Sequence, residues 1–264
     1  MTSKPEVSWP DWSGETALIV GTGASVSGAP LYLAEGVFKC IVVKSAYELA
    51  PWADVLYGID MGWWIARRGA PKFKGLKVTP SPRAAKVFNL RQVRLKTGAR
   101  IIREPIGTLG CGLRDGGGHS GWQAINLAIQ FGATRIVLVG FDMHDGHWKP
   151  NDPGVAKPDH MRTKRWRDEM DAAVDEFRGV EVINATPGSA LKSYPFKPLM
   201  ELAGFNALDQ VQADQSGRDA VPVTQADGSG SVPDAGRVRK RKNKRSPQRK
   251  HEEVGPGAEQ DGLR

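Results

Sequence analysis

The stretch GGGHSGWQAINLAIQFGATRIVLVGFDMHDGHW, residues 116–148, constrains the fold more than any other part of the chain. Its apolar positions Trp122, Ile125, Leu127, Ala128 and Phe131 recur at close to helical period, with Ser120 placed to cap the first turn. Gly132 suits the left-handed position that ends a helix, and Ala133-Thr134 makes a minimal connection. Ile136, Val137, Leu138 and Val139 follow as an unbroken β-favouring run, the pattern of a strand covered on both faces. Gly140 ends that strand, and a polar loop holding Asp142, His144, Asp145 and His147 begins at once. Helix, short link and buried strand make up the repeating unit of a parallel α/β sheet. Such sheets place ligands beyond the carboxyl ends of their strands.

The same alternation runs through the rest of the chain. Thr16–Val20 reads as a first strand, feeding Gly21-Thr22-Gly23-Ala24-Ser25 and then a helix through Leu31, Tyr32 and Leu33 that closes at Gly36. Lys39–Val43 is a second strand and Val55–Ile59 a third, ending at Asp60, with Trp63-Trp64-Ile65 opening a helix or turn. Residues 71–105 are rich in Lys, Arg and Pro, with strand candidates at Leu76–Thr79 and Ala99–Ile102. A charged helix over Thr163–Phe177 and a last strand at Val180–Ile183 complete the pattern. This predicts an α/β fold with a doubly wound, mostly parallel sheet over residues 16–207, preceded by a short extension at 1–15.

With 264 residues, 40% of them hydrophobic, the chain can bury one substantial core. From residue 208 onward Gln, Asp, Ser, Gly and Pro take over, a composition that cannot offset its ordering entropy and predicts disorder. The formal net charge of +8 is unevenly placed: residues 237–250 carry nine Lys or Arg and no acid. Such a run reads as a solvated tail with weak polyanion binding, since no aromatic residue interleaves it to stack on bases. Cys40 and Cys111 are too few for a disulfide framework and lack zinc-ligand spacing. Charged residues interrupt the N-terminal stretch and no apolar run reaches membrane-spanning length, so the expectation is a cytoplasmic protein without a membrane span.

Four motifs carry candidate chemistry. Glycines at Gly21 and Gly23 let backbone approach a phosphate after the first strand, Ser25 can donate to it or cap, and the spacing matches no P-loop. Asp60, at a strand's carboxyl end, can hold a sugar hydroxyl, an amine or a metal ion, while Trp63 and Trp64 serve either packing or stacking. Ser120 and Gly121 present backbone amides at a helix start, beside His119. The cluster Asp142, His144, Asp145 and His147, with Asp159 and His160 downstream, suits general acid–base work or a divalent ion, without a recognised zinc spacing. Asp142, His147 and His160 are the catalytic candidates.

Read together, VGTGAS, ADVLYGID, GHSGWQAINLAIQFGA, IVLVGFDM and INATPGSAL resemble the domain of unknown function shared with archaeal 6-hydroxymethylpterin diphosphokinases. They also resemble bacterial sialyltransferases that use CMP-sialic acid, and the variants with Pro-Trp-Ala-Asp and Trp-Trp blocks look like phage-encoded proteins. The resemblance spans about residues 16 to 205 and implies a Rossmann-like nucleotide site. Gly21, Gly23 and Ser25 would approach the phosphates, Ser120 and Gly121 the nucleotide or transferred group, and Asp142 the nucleotide sugar. His147 or His160 would act as base toward an acceptor hydroxyl. Ala24, Lys44 and His119 depart from the usual proline, asparagine and asparagine, and Lys44 can pair with phosphate.

The implied activity is transfer from a nucleotide-activated donor such as a CMP-sugar to a small-molecule or glycan acceptor. One alternative is pyrophosphoryl transfer from ATP with magnesium to a pterin-like molecule, with Asp60 or Asp142 near the metal. The other is a non-catalytic phage-assembly or nucleic-acid-associated protein.

Overall fold

Apolar side chains that alternate along a strand commit its two faces to two different layers. In β1 (Thr16–Val20) Ala17 and Ile19 join one buried cluster while Leu18 and Val20 join another, and β2 (Lys39–Val43) splits in the same way. Both faces are therefore covered, as the uninterrupted apolar runs require. The structure, a computed structural model, describes residues 8–113, 118–144, 146–155 and 159–205. The predicted disordered stretch from 208 onward and its basic run lie outside the described residues.

The remaining strands are β3 (Val55–Tyr57), β4 (Leu76–Thr79), β5 (Arg91–Gln92), β6 (Arg94–Lys96), β7 (Thr108–Gly110), β8 (Arg135–Val139) and β9 (Glu181–Asn184). Seven of them form one sheet in the order β5-β4-β3-β2-β1-β8-β9, every neighbour pair parallel. This is a Rossmann-like, doubly wound sheet. Its strand order reverses between β1 and β8, where Thr16 pairs with Arg135 and Val20 with Val139. A crevice opens at such a reversal because the connections leave toward opposite sides.

Five α-helices are described: α1 (Met61–Ala66), α2 (Pro82–Phe88), α3 (Ser120–Gln130), α4 (His160–Asp171) and α5 (Leu199–Leu202). All eleven residues of α3 are buried, and Trp122, Ile125 and Leu127 pack in the cluster on one face of the sheet. Gly132, at φ +94°, closes it as expected. Trp63 and Trp64 are fully buried on the other face, with ring centroids 4.8 Å apart, and serve packing. No helix of the described residues is long and apolar enough to cross a membrane.

Three expectations are corrected. The helix foreseen after β1 is a pair of short 3₁₀ turns, Ala24–Gly28 and Leu31–Ala34. Glycine, proline and β-branched residues at 26–30 leave no stretch long enough to propagate an α-helix. The strand foreseen at Ala99–Ile102 does not form. Instead, the Ile102 amide donates to Asn126 Oδ1 at 3.1 Å and its carbonyl accepts from Asn126 Nδ2 at 2.7 Å, so a side chain replaces a neighbouring strand. The charged helix begins at His160 and ends at Asp171, with Val174–Phe177 a separate 3₁₀ turn.

Candidate functional site

The loops leaving β1 and β8 meet at the switch point through backbone and one carboxylate. The Gly21 amide donates to Val139 O at 2.7 Å and the Gly23 amide to Gly140 O at 2.9 Å, extending the parallel pairing past the strand ends. The Ser25 amide and hydroxyl donate to the Asp142 carboxylate oxygens at 3.0 and 2.9 Å. A Cβ on Gly23 would lie 1.7 Å from Asp142 Oδ2 and 2.7 Å from Gly140 O, so only glycine permits this approach. The residues singled out for phosphate contact thus hold the fold together here. They lock two loops to each other, and Ser25 is committed to Asp142.

Beside this lock lies a cavity of about 690 Å³, lined by both loops, by Val43 and Lys44 after β2, by His119 to Gly121 at the start of α3, and by the loop through His147. Its size falls within the range of small-ligand sites. Gly21, Gly23, Lys44, Ser120, Gly121, Asp142 and His147 all line it. Ser25 does not. Asp60 lines an adjacent cavity of about 840 Å³, and His160, exposed at the start of α4, lines neither. Asp145 lies outside the described residues.

His119 and Ser120 make the amino end of α3 a polar part of the wall. Its N-cap is His119 rather than the expected Ser120: His119 Nδ1 accepts from the Trp122 amide at 3.3 Å. An acceptor Nδ1 fixes the neutral ring as the tautomer protonated at Nε2. Burial, helped by the nearby Lys44 charge, lowers its pKa to about 3, so the ring is neutral across the physiological range. Ser120 and Gly121 follow as the first helical residues, where amides have no intrahelical partner and the helix dipole favours negative charge. His147 repeats the pattern. Its Nδ1 accepts from the Lys149 amide at 3.0 Å, and burial holds its pKa below the usual histidine range, with Asp152 opposing.

Three buried polar atoms on this wall have no hydrogen-bond partner among the described residues: His119 Nε2, Ser120 Oγ and His147 Nε2. Buried polar groups are nearly always paired, and those without a protein partner call for an ordered water, an ion, a ligand or strain. Strain is present as well: Lys44 and Met143, both lining the cavity, hold φ of +47° and +55°. Non-glycine residues in that region cost roughly 1–3 kcal/mol each and cluster at functional sites. Lys44 Nζ forms an ion pair with Asp60, which occupies the cation expected for phosphate.

The sequence reading missed what holds the His147 loop. Asp152 is buried and accepts from Ser45 Oγ at 2.6 Å, and the Arg67 guanidinium pairs with its other oxygen. Trp63 Nε1 donates to Ser45 Oγ at 2.9 Å, and Lys149 pairs with Glu48 at 2.6 Å. No spacing rule joins residues this distant in sequence. Trp166 of α4 was also missed; it lines both cavities, its ring 5.1 Å from that of His119. Among the described residues no group of three or more His, Cys, Asp or Glu side chains is arranged to hold a metal ion.

No family model matches the chain, and no curated protein matches it. Among solved structures it is similar to the sialyltransferase CstII from Campylobacter jejuni in complex with a substrate analogue, cytidine-5'-monophosphate. The likeness has a TM-score of 0.42 and 11% identity, covering 70% of this chain and 85% of that one. A likeness of that degree carries no argument about substrate or chemistry.

Proposed function

We propose that the protein binds a nucleotide or nucleotide-activated donor in the switch-point cavity and transfers the activated group, as glycosyltransferases do, to a hydroxyl acceptor. One observation carries the reading: three residues that line a single cavity where the sheet reverses each hold a buried polar atom with no partner among the described residues. The phosphate belongs at the amino end of α3. There the Ser120 and Gly121 amides, the Ser120 hydroxyl and the His119 Nε2–H offer donors to an anion, and the Gly21–Ser25 turn is already committed to β8 and Asp142.

In the transfer, the acceptor oxygen bonds to the donor carbon while the bond from that carbon to the phosphate oxygen breaks, its electron pair staying on the phosphate. Preorganised donors at α3 and His147 Nε2–H stabilise that developing charge. The acceptor proton passes to Asp142, the only carboxylate among the described residues lining this cavity. His147 and His119 then act as donors and not as bases, because each Nδ1 already accepts a backbone amide.

Thermal unfolding of the full chain with CMP, UDP, GDP and ATP, each with and without magnesium, tests the reading. A nucleotide at a hundred times its dissociation constant adds about 2.7 kcal/mol. For a domain of this size that raises the midpoint by roughly 5–10 °C. A shift from ATP that appears only with magnesium supports pyrophosphoryl transfer instead. No shift from any nucleotide overturns the enzyme readings and leaves the non-catalytic one.

A further inference from the structure

The second cavity shares one wall with the first: Lys44, His119, Ser120 and Trp166 line both. Its opposite wall is α4, whose sequence HMRTKRWRDEMD places Arg162, Lys164 and Arg165 along the cavity. Three carboxylates also line it, and each is already met by a cation. Asp60 pairs with Lys44, Asp168 with Lys164 and Arg167, and Glu169 with Arg100 at 2.6 Å. Arg100 and Arg167 reach their partners from outside the lining. Among the described residues the acids are therefore neutralised in part by external cations, which leaves Arg162 as the surplus cation of the lining. Arg162 has no carboxylate partner among the described residues.

Apolar surface accompanies this charge. Ile59, Leu113, Met161 and Trp166 line the same space, so a ligand there meets both a cationic rim and an apolar floor. The junction with the nucleotide cavity carries His119 Nε2 and Ser120 Oγ, buried and without partners among the described residues.

We infer that the second cavity binds a second ligand, a small organic anion with a cyclic body and a carboxylate or phosphate group. The anion meets Arg162, the ring lies against Trp166, and the end nearest the His119–Ser120 wall adjoins the nucleotide. The inference deepens the proposed transferase reading, because it supplies the acceptor's place and its charge. The binding claim itself stands on the second cavity alone.

Isothermal titration of the 264-residue chain with glucuronate, glucose 6-phosphate and glucose tests it, in parallel with the Arg162→Gln variant. Arg162 is exposed and outside the nucleotide cavity, so the variant folds and keeps any nucleotide-induced stabilisation. The expected result is binding of one or both charged sugars, none of glucose, and a loss of about tenfold in affinity in Arg162→Gln. Raising the ionic strength to about 1 M weakens the wild-type binding further. Preference for glucuronate or for glucose 6-phosphate identifies the anionic group. Equal binding of glucose, no binding of any sugar, or an unchanged affinity in Arg162→Gln overturns the inference. If a nucleotide still stabilises the protein in that case, the transferase reading survives it. If the charged sugars bind and no nucleotide does, the nucleotide reading fails alone.

Discussion

Ser120 carries a buried hydroxyl with no partner among the described residues, a combination that lowers stability unless something else uses it. Replacing it by alanine removes the unsatisfied group while leaving the α3 backbone in place. Ser120→Ala is expected to unfold at the same temperature as wild type or slightly higher, and to lose most of any nucleotide-induced shift. Thermal unfolding with and without nucleotide checks both halves. His119 gives a pH signature. Its folded-state pKa of about 3 lies below the ordinary value of 6.5, so between those limits the unfolded chain takes up a proton that the folded chain refuses. Stability contributed by this group is complete above pH 6.5 and drains away as the pH falls toward 3. The slope is on the order of 1.4 kcal/mol per pH unit at its steepest. Asparagine can still cap the helix and does not titrate. His119→Asn is thus expected to flatten the acid limb of a stability–pH curve by one proton, and an unchanged limb would show that His119 is not buried neutral.

At the level of elements, α3 was legible as a helix and illegible as a fastener. Its apolar period announced burial, but nothing in the sequence marked Gln123, Asn126 and Gln130. They are buried. Asn126 Oδ1 accepts from the amides of Ile102 and Gly110 at 3.1 and 2.7 Å, and Gln130 Nε2 donates to the carbonyls of Ile102 and Thr108 at 2.8 and 2.6 Å. Gln123 accepts from the Tyr57 hydroxyl at 3.0 Å. Asn126 and Gln130 thus serve the backbone of Ile102, which makes no strand, and of Thr108 and Gly110 in β7, and no local pattern there signals where the partners lie. Asn126→Leu takes their acceptor from the amides of half-buried Ile102 and buried Gly110, while the Ile102 carbonyl keeps Gln130. Chemical denaturation is expected to show a loss of roughly 2–4 kcal/mol. The loop carrying His147 depends on Asp152 in the same way, since Asp152→Ala takes from the mostly buried Arg67 its buried carboxylate and leaves it only the longer contact to half-exposed Glu48 and the Ser45 hydroxyl. A cost of about 3–5 kcal/mol follows for breaking a buried pair. Weaker nucleotide stabilisation should accompany it, measured by titrating the folded variant.

Across the whole molecule, the alternation of apolar runs made the parallel sheet readable because local period and tertiary burial agree in each strand. The seven-stranded order and its reversal between β1 and β8 follow from long-range pairing, which one sequence does not state. The same division holds for the site. Gly21, Gly23, Ser120, Gly121, Asp142 and His147 were marked by their places at strand ends and helix starts, and they do line one cavity. Their partners were invisible. Ser25 is engaged by Asp142, Lys44 by Asp60, and His160 stands apart from both cavities, because each of these depends on residues brought together only by the fold. In the proposed reading the amino end of α3, rather than the glycine turn after β1, is the anion-binding end of the switch point.

That claim is tested most directly by calorimetric titration of nucleoside monophosphates into the wild-type chain and into Ser120→Ala. Binding at one site in wild type, weakened about tenfold or more when the hydroxyl is removed, is the predicted result. Absence of binding in wild type, or equal affinity in the two proteins, would contradict it.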